Sequence, residues 1–521
     1  MKKKDKSTFR KIEYHKKESF YLIIRGLEVG VFSGLVSVIY RFLLTNAELM
    51  MEKFSSFAKS GVWQCIVFFA VLGLIGFCVC RIVKWEPMSS GSGIPQVSGE
   101  IKGYFNQGWI KVIIAKLTGG TLAVFSGLSL GREGPSIQLG AMAAKGISKI
   151  TKADKTTELR MMSCGGGAGL AAAFNAPLAG VMFVLEEIHK TIDKSIICMG
   201  IAACITADFI SKIFFGQDTV FHYETANIPL RHYWLLIILG VVLGLLGCAY
   251  NIIMSKGQDI FKKIKKLPTE IKFIFVFLAG GLAAIFLPEI TGGGHKMVEL
   301  LMNERPGLVM LIFLLIAKFL FSVISFGSGA PGGIFFPLLI LGTYIGAIFA
   351  GIVIPAFNLD EQLWQEFVII SMAGLFSSIV RAPLTGIILV FEMTGNLDSL
   401  LPLAVVSLTS YALSNLIGVN PVYEILLEKI INSDHKRPEF KQSAEKVLKN
   451  YIIPMGSPLD GKSVMDVDWG KHCLVVSISR EGASVTPKGE TILSEGDELA
   501  ILVSQRRFSR DCERLEKIIN G

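Results

Sequence analysis

The chain has 521 residues, of which 51% are hydrophobic and 18% are charged, and its mean hydropathy is +0.53. These values exclude a soluble globular protein and a disordered one, and they indicate a multi-pass membrane protein. The formal net charge is +9, and seven Lys and two Arg fall within the first 25 residues. Their position before the first apolar run predicts a cytoplasmic N-terminus. We expect the protein to lie in the plasma membrane with both termini in the cytoplasm. No basic surface interleaved with aromatic residues is visible, so no nucleic-acid partner is expected.

Apolar runs long enough to cross a bilayer recur along the chain, and shorter ones continue to residue 417. Gly and Pro interrupt several of the shorter runs, which predicts half-spanning helices packed inside the protein. We therefore expect an all-α polytopic membrane fold. The long runs cover residues 21–40, 62–83, 110–130, 195–215, 234–254, 273–287 and 308–326.

The hydropathy falls after residue 417, and a charged connector leads into a tail of short alternating apolar segments separated by Gly, Pro and Asp. This pattern predicts strands followed by a C-terminal helix, which form a small α+β domain in the cytosol. The predicted organisation is a basic cytoplasmic N-terminus (1–20), a transmembrane domain (21–430), a linker (431–449) and a cytosolic domain (450–521).

Two regions of the transmembrane part resemble each other. The segment "FNAPLAGVMFVLEE" (174–187) aligns with "VRAPLTGIILVFEM" (380–393) at an offset of 206, and "GREGPSIQLG" (131–140) aligns with "GIFFPLLILG" (333–342) at an offset of 202. Two halves with interrupted helices in matching places are typical of an internally repeated transporter with its site near the midplane. We expect the repeat to be inverted, because that arrangement is the commoner one when broken helices converge.

Three Gly-rich turns that contain proline each precede an apolar helical segment: "GSGIP" (91–95), "GREGP" (131–135) and "GGIFFP" (332–337). Proline suits the first turn of a helix, and glycine lets the preceding backbone approach a ligand closely. Helix starts carry free N–H groups and the positive end of the helix dipole. Three converging starts therefore predict a site for an anion that must be released again, because no full positive charge holds it.

Glu133 lies at one of these helix starts. An ionised carboxylate there competes with an anion for the same N–H groups, and it moves away when it is protonated or displaced. Glu133 is thus a candidate proton-sensing gate. The alternative is that Glu133 only caps its helix or pairs with Arg132.

Together with "FNAPLAG", "SGAPGGIFFP" and "RAPLTGIILVFEMT", these turns resemble the chloride channel (CLC) family across residues 20–430. The resemblance implies a homodimer with one chloride pathway per subunit, and it makes residues 21–430 an anion-transport domain. It also implies chloride ligands: the hydroxyl of Ser92, the backbone N–H groups of Ile334 and Phe335, and the phenol of Tyr423. Glu133 is similar to the family's external gating glutamate.

Glu187 stands where the exchangers of that family have their internal proton-transfer glutamate, so the resemblance implies chloride/proton exchange with chloride and protons as substrates. If Glu187 is instead a solvated helix-end charge, the chain is a passive voltage- or ligand-gated chloride channel. A third possibility is a ligand-sensing membrane protein with a vestigial pore. No Ser/His/Asp set, metal cluster or phosphate loop is recognised, so we expect no enzyme activity, no cofactor and no metal.

The tail from "PLDGKSVMDVDWG" to "EGDELAILV" resembles the RCK_C (TrkA-C) regulatory domain. The resemblance implies that this domain dimerises, regulates transport and is a candidate to bind a cyclic dinucleotide. Arg480 and Lys488 flank the turn "SREGASVTPKG" and are candidate contacts to phosphate oxygens. The alternative is that both are exposed hairpin charges with no ligand.

Overall fold

A computed structural model describes residues 2–190, 194–217, 221, 228–263, 267–433, 446–480, 483–504 and 508–520. These residues form eighteen α-helices and one four-stranded sheet. The chain divides into two compact units, Met1–Ile431 and Asn432–Gly521. The first unit is helical and contains every Gly-rich turn singled out above.

The first half of the helical unit holds eight α-helices, and a π-helical turn (Val184–His189) follows α7 directly. Buried residues cover every side of α5 and α6, whereas α2 exposes much of its apolar surface. The α-helices are α1 (Lys2–Ala58), α2 (Val62–Trp85), α3 (Ile94–Ile101), α4 (Trp109–Phe125), α5 (Glu133–Ile150), α6 (Lys155–Phe174), α7 (Pro177–Phe183) and α8 (Lys194–Phe215).

The second half holds nine more helices, of which α13 and α14 are the most deeply buried of the candidate spans. They are α9 (Tyr233–Lys263), α10 (Thr269–Phe286), α11 (His295–Asn303), α12 (Leu308–Gly327), α13 (Phe335–Ala356), α14 (Leu363–Val380), α15 (Pro383–Thr394), α16 (Leu400–Ile417) and α17 (Val422–Ser433).

Nine helices among the described residues are long and apolar enough to cross a membrane, which confirms the multi-pass fold. The predicted run 110–130 is different, because α4 ends at Phe125 and Gly127 takes a left-handed φ of 74°. The sequence stays largely apolar through this point, but the backbone turns there. Residues 126–132 therefore connect α4 to α5 instead of completing a span.

The repeat is built on reciprocal hydrogen bonds between its halves. Ala176 and Ala382 precede α7 and α15, and alanine has no side-chain oxygen with which to cap a helix. Glu392 instead accepts the first N–H groups of α7, and Glu186 accepts those of α15, at 2.7–3.1 Å. Each helix ends at the start of the other, so the two are antiparallel and related by a two-fold rotation. For membrane helices that axis lies in the membrane plane, so the repeat is inverted.

The second unit, predicted above to be the cytosolic domain, is an antiparallel sheet with strand order β1-β4-β2-β3, followed by the predicted C-terminal helix. Its core contains fully buried Ile478, Leu499, Ile501 and Leu515. The elements are β1 (Lys446–Ile452), β2 (Leu474–Arg480), β3 (Ala483–Val485), β4 (Glu498–Ser504) and α18 (Phe508–Asn520).

Strand β1 starts at Lys446, so its first four residues are the last four of the segment predicted as a linker (431–449). Its sequence, "KVLKNYI", does not alternate strictly between apolar and polar residues, and the charged residues around it give the whole region the composition of a connector. The segment forms a strand because all seven residues of β1 pair with β4.

A buried carboxylate holds the β2–β4 end of this sheet. Asp497 is 0% exposed and accepts hydrogen bonds from Nε and an Nη of Arg480, both at 2.7 Å, and from the Ser494 N–H at 2.9 Å. The Arg480 guanidinium, followed by the Ser494 N–H, holds the pKa of Asp497 below its usual value. The folded state therefore favours the ionised carboxylate.

We expect Asp497→Asn to lower the free energy of unfolding of the cytosolic domain by about 1–3 kcal/mol at neutral pH, because Arg480 loses its charged acceptor. In the unchanged protein this contribution is present above the ordinary Asp pKa of about 3.9 and is lost as the pH falls through the lower folded pKa. Hydrogen exchange of the β2 and β4 amides in the full chain measures the effect. Asp468→Asn, in an exposed ion pair with Arg514, is the matched control; equal protection in both variants would contradict the prediction.

Candidate functional site

Three Gly-rich turns meet through their main chains. Gly131 and Gly333 exchange reciprocal N–H···O hydrogen bonds at 2.7 and 2.8 Å, and the Gly332 N–H donates to the Gly91 carbonyl at 3.0 Å. These turns immediately precede α5, α13 and α3. The structure therefore brings together the three helix starts that the sequence predicts to converge, and their free N–H groups face a common region.

Glycine is required where these turns touch. A Cβ atom at Gly134 would overlap the hydroxyl of Ser92 and lie 2.9 Å from its carbonyl oxygen. At Gly131, a Cβ would overlap the carboxylate of Glu133 and lie 3.0 Å from Cδ of Pro337. Since real Cβ contacts are not this short, any larger residue at either position must displace the site.

Two buried lysines support the turns from behind. Lys116 on α4 and Lys318 on α12 are both 0% exposed and stand at the repeat offset of 202. Lys116 Nζ donates to two carbonyls of the turn before α3, at 2.9 and 2.7 Å, and Lys318 Nζ donates to two carbonyls of the turn before α11, at 2.9 and 3.0 Å. Each ammonium group binds the carbonyl side of its turn. The opposite side of the turn, which carries the N–H groups, therefore faces the start of the helix.

Four residues predicted as chloride ligands are buried in this region. Ser92 and Tyr423 are each 2% exposed, and their hydroxyls have no hydrogen-bond partner among the described residues. A buried hydroxyl without a partner costs free energy, so both fit donors for a bound anion. Ile334 and Phe335 are 1% and 0% exposed, and they stand at the start of α13.

The ring of Phe335 fixes the backbone that carries the N–H groups. Its centroid lies 4.8 Å from that of Phe376 and 5.5 Å from that of Phe174, both in tilted contacts. Such aromatic pairs add to the free energy of apolar burial. The start of α13 is therefore held rigidly, and its N–H groups do not have to be reordered when an anion arrives.

The Glu133 carboxylate lies at the start of α13 rather than capping its own helix. It is 0% exposed and faces the N–H groups of Phe336 and of its own residue, but it completes no hydrogen bond. Arg132 Nε is 3.8 Å from the nearer oxygen, which is too far for a hydrogen bond. Glu133 thus lies at the helix start that an anion would use, and it completes a hydrogen bond neither as a cap of its own helix nor with Arg132.

Glu187 is 3% exposed and lies on the π-helical turn after α7. Lys190, Glu424 and Lys102 are the main charged groups whose fields reach it, and Lys190 is itself ion-paired with Glu424. This burial does not fit a solvated helix-end charge. The Tyr423 phenol is within the electrostatic reach of both Glu187 and Glu133.

A fourth turn belongs to the same architecture, although its sequence did not single it out. Residues 288–295 match 87–94 at an offset of 201, and the glycine before each helix has a left-handed φ, 95° before α3 and 108° before α11. Gly293 stands where the first half has Ser92. This turn lines a cavity of about 300 Å³ together with Glu48 and Lys296. The signal available in the sequence was the shared spacing of one Pro and two Gly.

The two candidate ligand contacts of the cytosolic domain are not brought together. The Arg480 guanidinium is bound by Asp497 and by the Ile492 carbonyl, at 2.8 Å from the latter. The Lys488 side chain is exposed, and its backbone N–H donates to the Thr491 hydroxyl at 2.9 Å. The side chains of residues 481–484, in the turn between them, lie outside the described residues, so the ligand site stays a prediction.

An inverted repeat around converging helix starts, with buried hydroxyl donors and a buried carboxylate, defines a membrane protein organised around an anion site. Residues 76–415 match the family model described as voltage gated chloride channel, and residues 450–514 match the TrkA-C domain model. The chain therefore belongs to the CLC family and carries a C-terminal TrkA-C domain.

Several relatives cover most of the chain. The H(+)/Cl(-) exchange transporter ClcA of Vibrio cholerae serotype O1 (strain ATCC 39541 / Classical Ogawa 395 / O395) is 33% identical over 433 residues, which are 80% of this chain and 91% of that protein. The ClcA protein of Vibrio vulnificus (strain YJ016) is 34% identical over 428 residues, 79% of this chain and 90% of that one.

Solved structures have the same fold. A slow cyanobacterial Cl-/H+ antiporter superposes with a TM-score of 0.75 at 30% identity, covering 80% of this chain and 99% of that chain. A CLC-type fluoride/proton antiporter superposes with a TM-score of 0.62 at 21% identity, covering 76% of this chain and 97% of that one. The second likeness concerns the fold alone.

We expect Gly134→Ala to weaken chloride binding by at least about tenfold, which is about 1.4 kcal/mol, because the added methyl group displaces Ser92. Isothermal titration of the purified protein with chloride measures the affinity. Gly200→Ala is the matched control, since the nearest atom to a Cβ there is 3.8 Å away. Unchanged affinity in Gly134→Ala would show that Ser92 does not bind the anion.

Proposed function

We propose that this protein exchanges chloride for protons across the plasma membrane, as a homodimer with one pathway in each subunit. The observation that carries the proposal is the buried Glu133 carboxylate at the start of α13, in a region that also holds the unpartnered hydroxyl of Ser92. The unpartnered hydroxyl of Tyr423 is within electrostatic reach of the same carboxylate. A carboxylate and an anion that use the same N–H groups cannot occupy them together. The exchange activity in the names of the ClcA relatives and of the cyanobacterial antiporter supports the choice of substrates.

Chloride binds to partial charges in this mechanism. The hydroxyls of Ser92 and Tyr423 and the backbone N–H groups of Ile334 and Phe335 donate to it, while the dipoles of the converging helices add positive potential. The Lys116 ammonium is directed at main-chain carbonyls. The anion is therefore held well enough to enter and weakly enough to leave.

Glu133 couples the two ions. While ionised, its carboxylate is attracted to the start of α13 and excludes the anion from it. Protonation removes that charge and with it the attraction, so chloride takes the place of the carboxylate. Return of the ionised carboxylate expels chloride and leaves the proton on the other side of the gate.

Glu187 delivers protons from the cytosolic side. Its side chain is buried among Lys190, Lys102 and Glu424, a mixed set of charges that joins it to the solvated end of the protein. Both Glu187 and Glu133 are within electrostatic reach of the Tyr423 phenol, which we propose lies on the route between them. Proton and chloride thus share the central region and separate on its cytosolic side.

The basic N-terminus supports a cytosolic location for that end of the chain. We propose that the C-terminal domain lies on the same side. The TrkA-C domain is then a cytosolic regulator, and a cyclic dinucleotide bound between two copies is the ligand we propose for it. Arg480 forms an ion pair with Asp497. A phosphate contact by Arg480 therefore requires that this ion pair break, or that the guanidinium donate to the phosphate and to Asp497 at the same time.

The decisive experiment imposes a chloride gradient on vesicles that contain the purified protein. We expect uphill proton movement, and we expect Glu187→Ala to abolish it while chloride flux stays within a few-fold of the unchanged protein. Glu428→Ala, an exposed glutamate on α17, is the control. Proton movement that survives in Glu187→Ala would discard the internal relay. Chloride flux without proton movement in the unchanged protein would indicate a passive channel, and no flux would indicate a vestigial pore.

A second prediction concerns pH. Protonation of Glu133 opens the anion site, so chloride flux should rise as the external pH falls. In Glu133→Gln the side chain carries no charge at any pH, so we expect chloride flux that no longer depends on pH and no proton transport. Flux measurements across a pH series test this, and a pH dependence that persists in Glu133→Gln would place the gate on another residue.

A further inference from the structure

Tyr40 on α1 is another buried tyrosine. Unlike Tyr423, it has no part in the exchange mechanism. It is 1% exposed, and its hydroxyl has no hydrogen-bond partner among the described residues. A buried hydroxyl left unpaired is destabilising, and phenylalanine would fill the same space without that cost. The hydroxyl is therefore expected to find its partner in another state of the protein.

Packing places Tyr40 against the hairpin that carries Glu133. A Cβ atom at Gly120 on α4 would overlap the Tyr40 hydroxyl, so the phenol is pressed against the α4 backbone. Tyr40 and Leu44 share one apolar cluster with Val124 on α4 and Leu139 on α5. The tyrosine thus contacts the pair of helices joined by the turn 126–132.

The helix register brings Tyr40 to the level of Glu133. Seven residues connect α4 to α5, so these helices run antiparallel, and the Gly120 contact and the shared cluster indicate that α1 runs parallel to α4. Ser33 Oγ donates to the Gly140 carbonyl at 2.9 Å, which pairs α1 with α5. Tyr40 is seven residues beyond Ser33, and Glu133 is seven before Gly140. Both lie about 10 Å further along the axis in the same direction.

The electrostatics agree with this register. Glu133 and Arg132 are the charged groups whose fields reach the Tyr40 hydroxyl. Glu133 is also within electrostatic reach of the Tyr423 phenol. The charged groups that face Glu133 itself are Arg132 on its own turn and Glu48 on α1. Glu133 is therefore within electrostatic reach of two phenols, each with an unpartnered hydroxyl.

We propose that the Tyr40 hydroxyl donates a hydrogen bond to the Glu133 carboxylate after that carboxylate leaves the start of α13, and so holds the gate in its displaced position. This inference rests on the proposed function, because it assumes that Glu133 moves. A carboxylate that leaves the helix N–H groups enters surroundings of low polarity, where it needs a donor unless it is protonated. Tyr40 is thus a positioning residue for the gate.

The test is Tyr40→Phe in the full-length protein, reconstituted in vesicles, with chloride flux measured across a pH series. We expect about a tenfold slower flux near neutral pH, the effect of losing one hydrogen bond to a charged group. The deficit should shrink as the pH falls, because a protonated Glu133 needs no donor. Tyr344→Phe is the matched control: its buried hydroxyl donates to the Met297 carbonyl at 3.1 Å, and its loss should leave the pH profile unchanged.

A double variant separates positioning from general damage. In a Glu133→Gln background, Tyr40→Phe should have no further effect, because there is no carboxylate to hold. An equal deficit at every pH, or the same deficit in the Glu133→Gln background, would mean that the phenol acts only on packing and would overturn the inference. So would a Tyr40→Phe flux equal to that of the unchanged protein. Absence of coupled exchange in the unchanged protein would instead contradict the proposed function.

Discussion

The reciprocal hydrogen bonds between Gly131 and Gly333 are the interaction on which the site depends. They lie where the two halves of the repeat meet and fix the starts of α5 and α13 against each other. A third turn is attached through the Gly332 N–H, so the free N–H groups of three helices face one region. The partial charges of those groups are weak individually, and only their convergence gives a site for an anion. Without these main-chain bonds, the helix starts would not be held together, and their N–H groups would bind neither chloride nor the Glu133 carboxylate.

The repeat separates supporting residues from functional ones. Residues that hold the scaffold occur in both halves: Lys116 with Lys318, and Glu186 with Glu392. Three candidate functional side chains occur in the first half only, where the second half has an apolar side chain or glycine: Ser92 with Gly293, Glu133 with Phe335, and Glu187 with Met393. A symmetric frame therefore carries an asymmetric set of side chains. Because of this asymmetry, the two ends of one pathway have different chemistry.

Much of this organisation is visible in the sequence because Gly and Pro mark the helix starts and the apolar runs mark the spans. Other features are not. Hydropathy does not register the turn at Gly127, so the run 110–130 was wrongly predicted to span the membrane. The turn before α11 lacks the serine that makes its counterpart recognisable. A tyrosine such as Tyr40 on an apolar helix has the pattern of a core residue, and only the packing of α1 against α4 and α5 relates it to Glu133.

The central claim is that a halide and the Glu133 carboxylate use the same N–H groups at the start of α13. Anomalous diffraction from crystals of the Glu133→Gln variant grown in bromide tests it most directly. The account predicts a bromide peak within hydrogen-bonding distance of those N–H groups, at the position of the carboxylate in the unchanged protein. Ordered bromide elsewhere in the membrane domain, with none at that helix start, would contradict it.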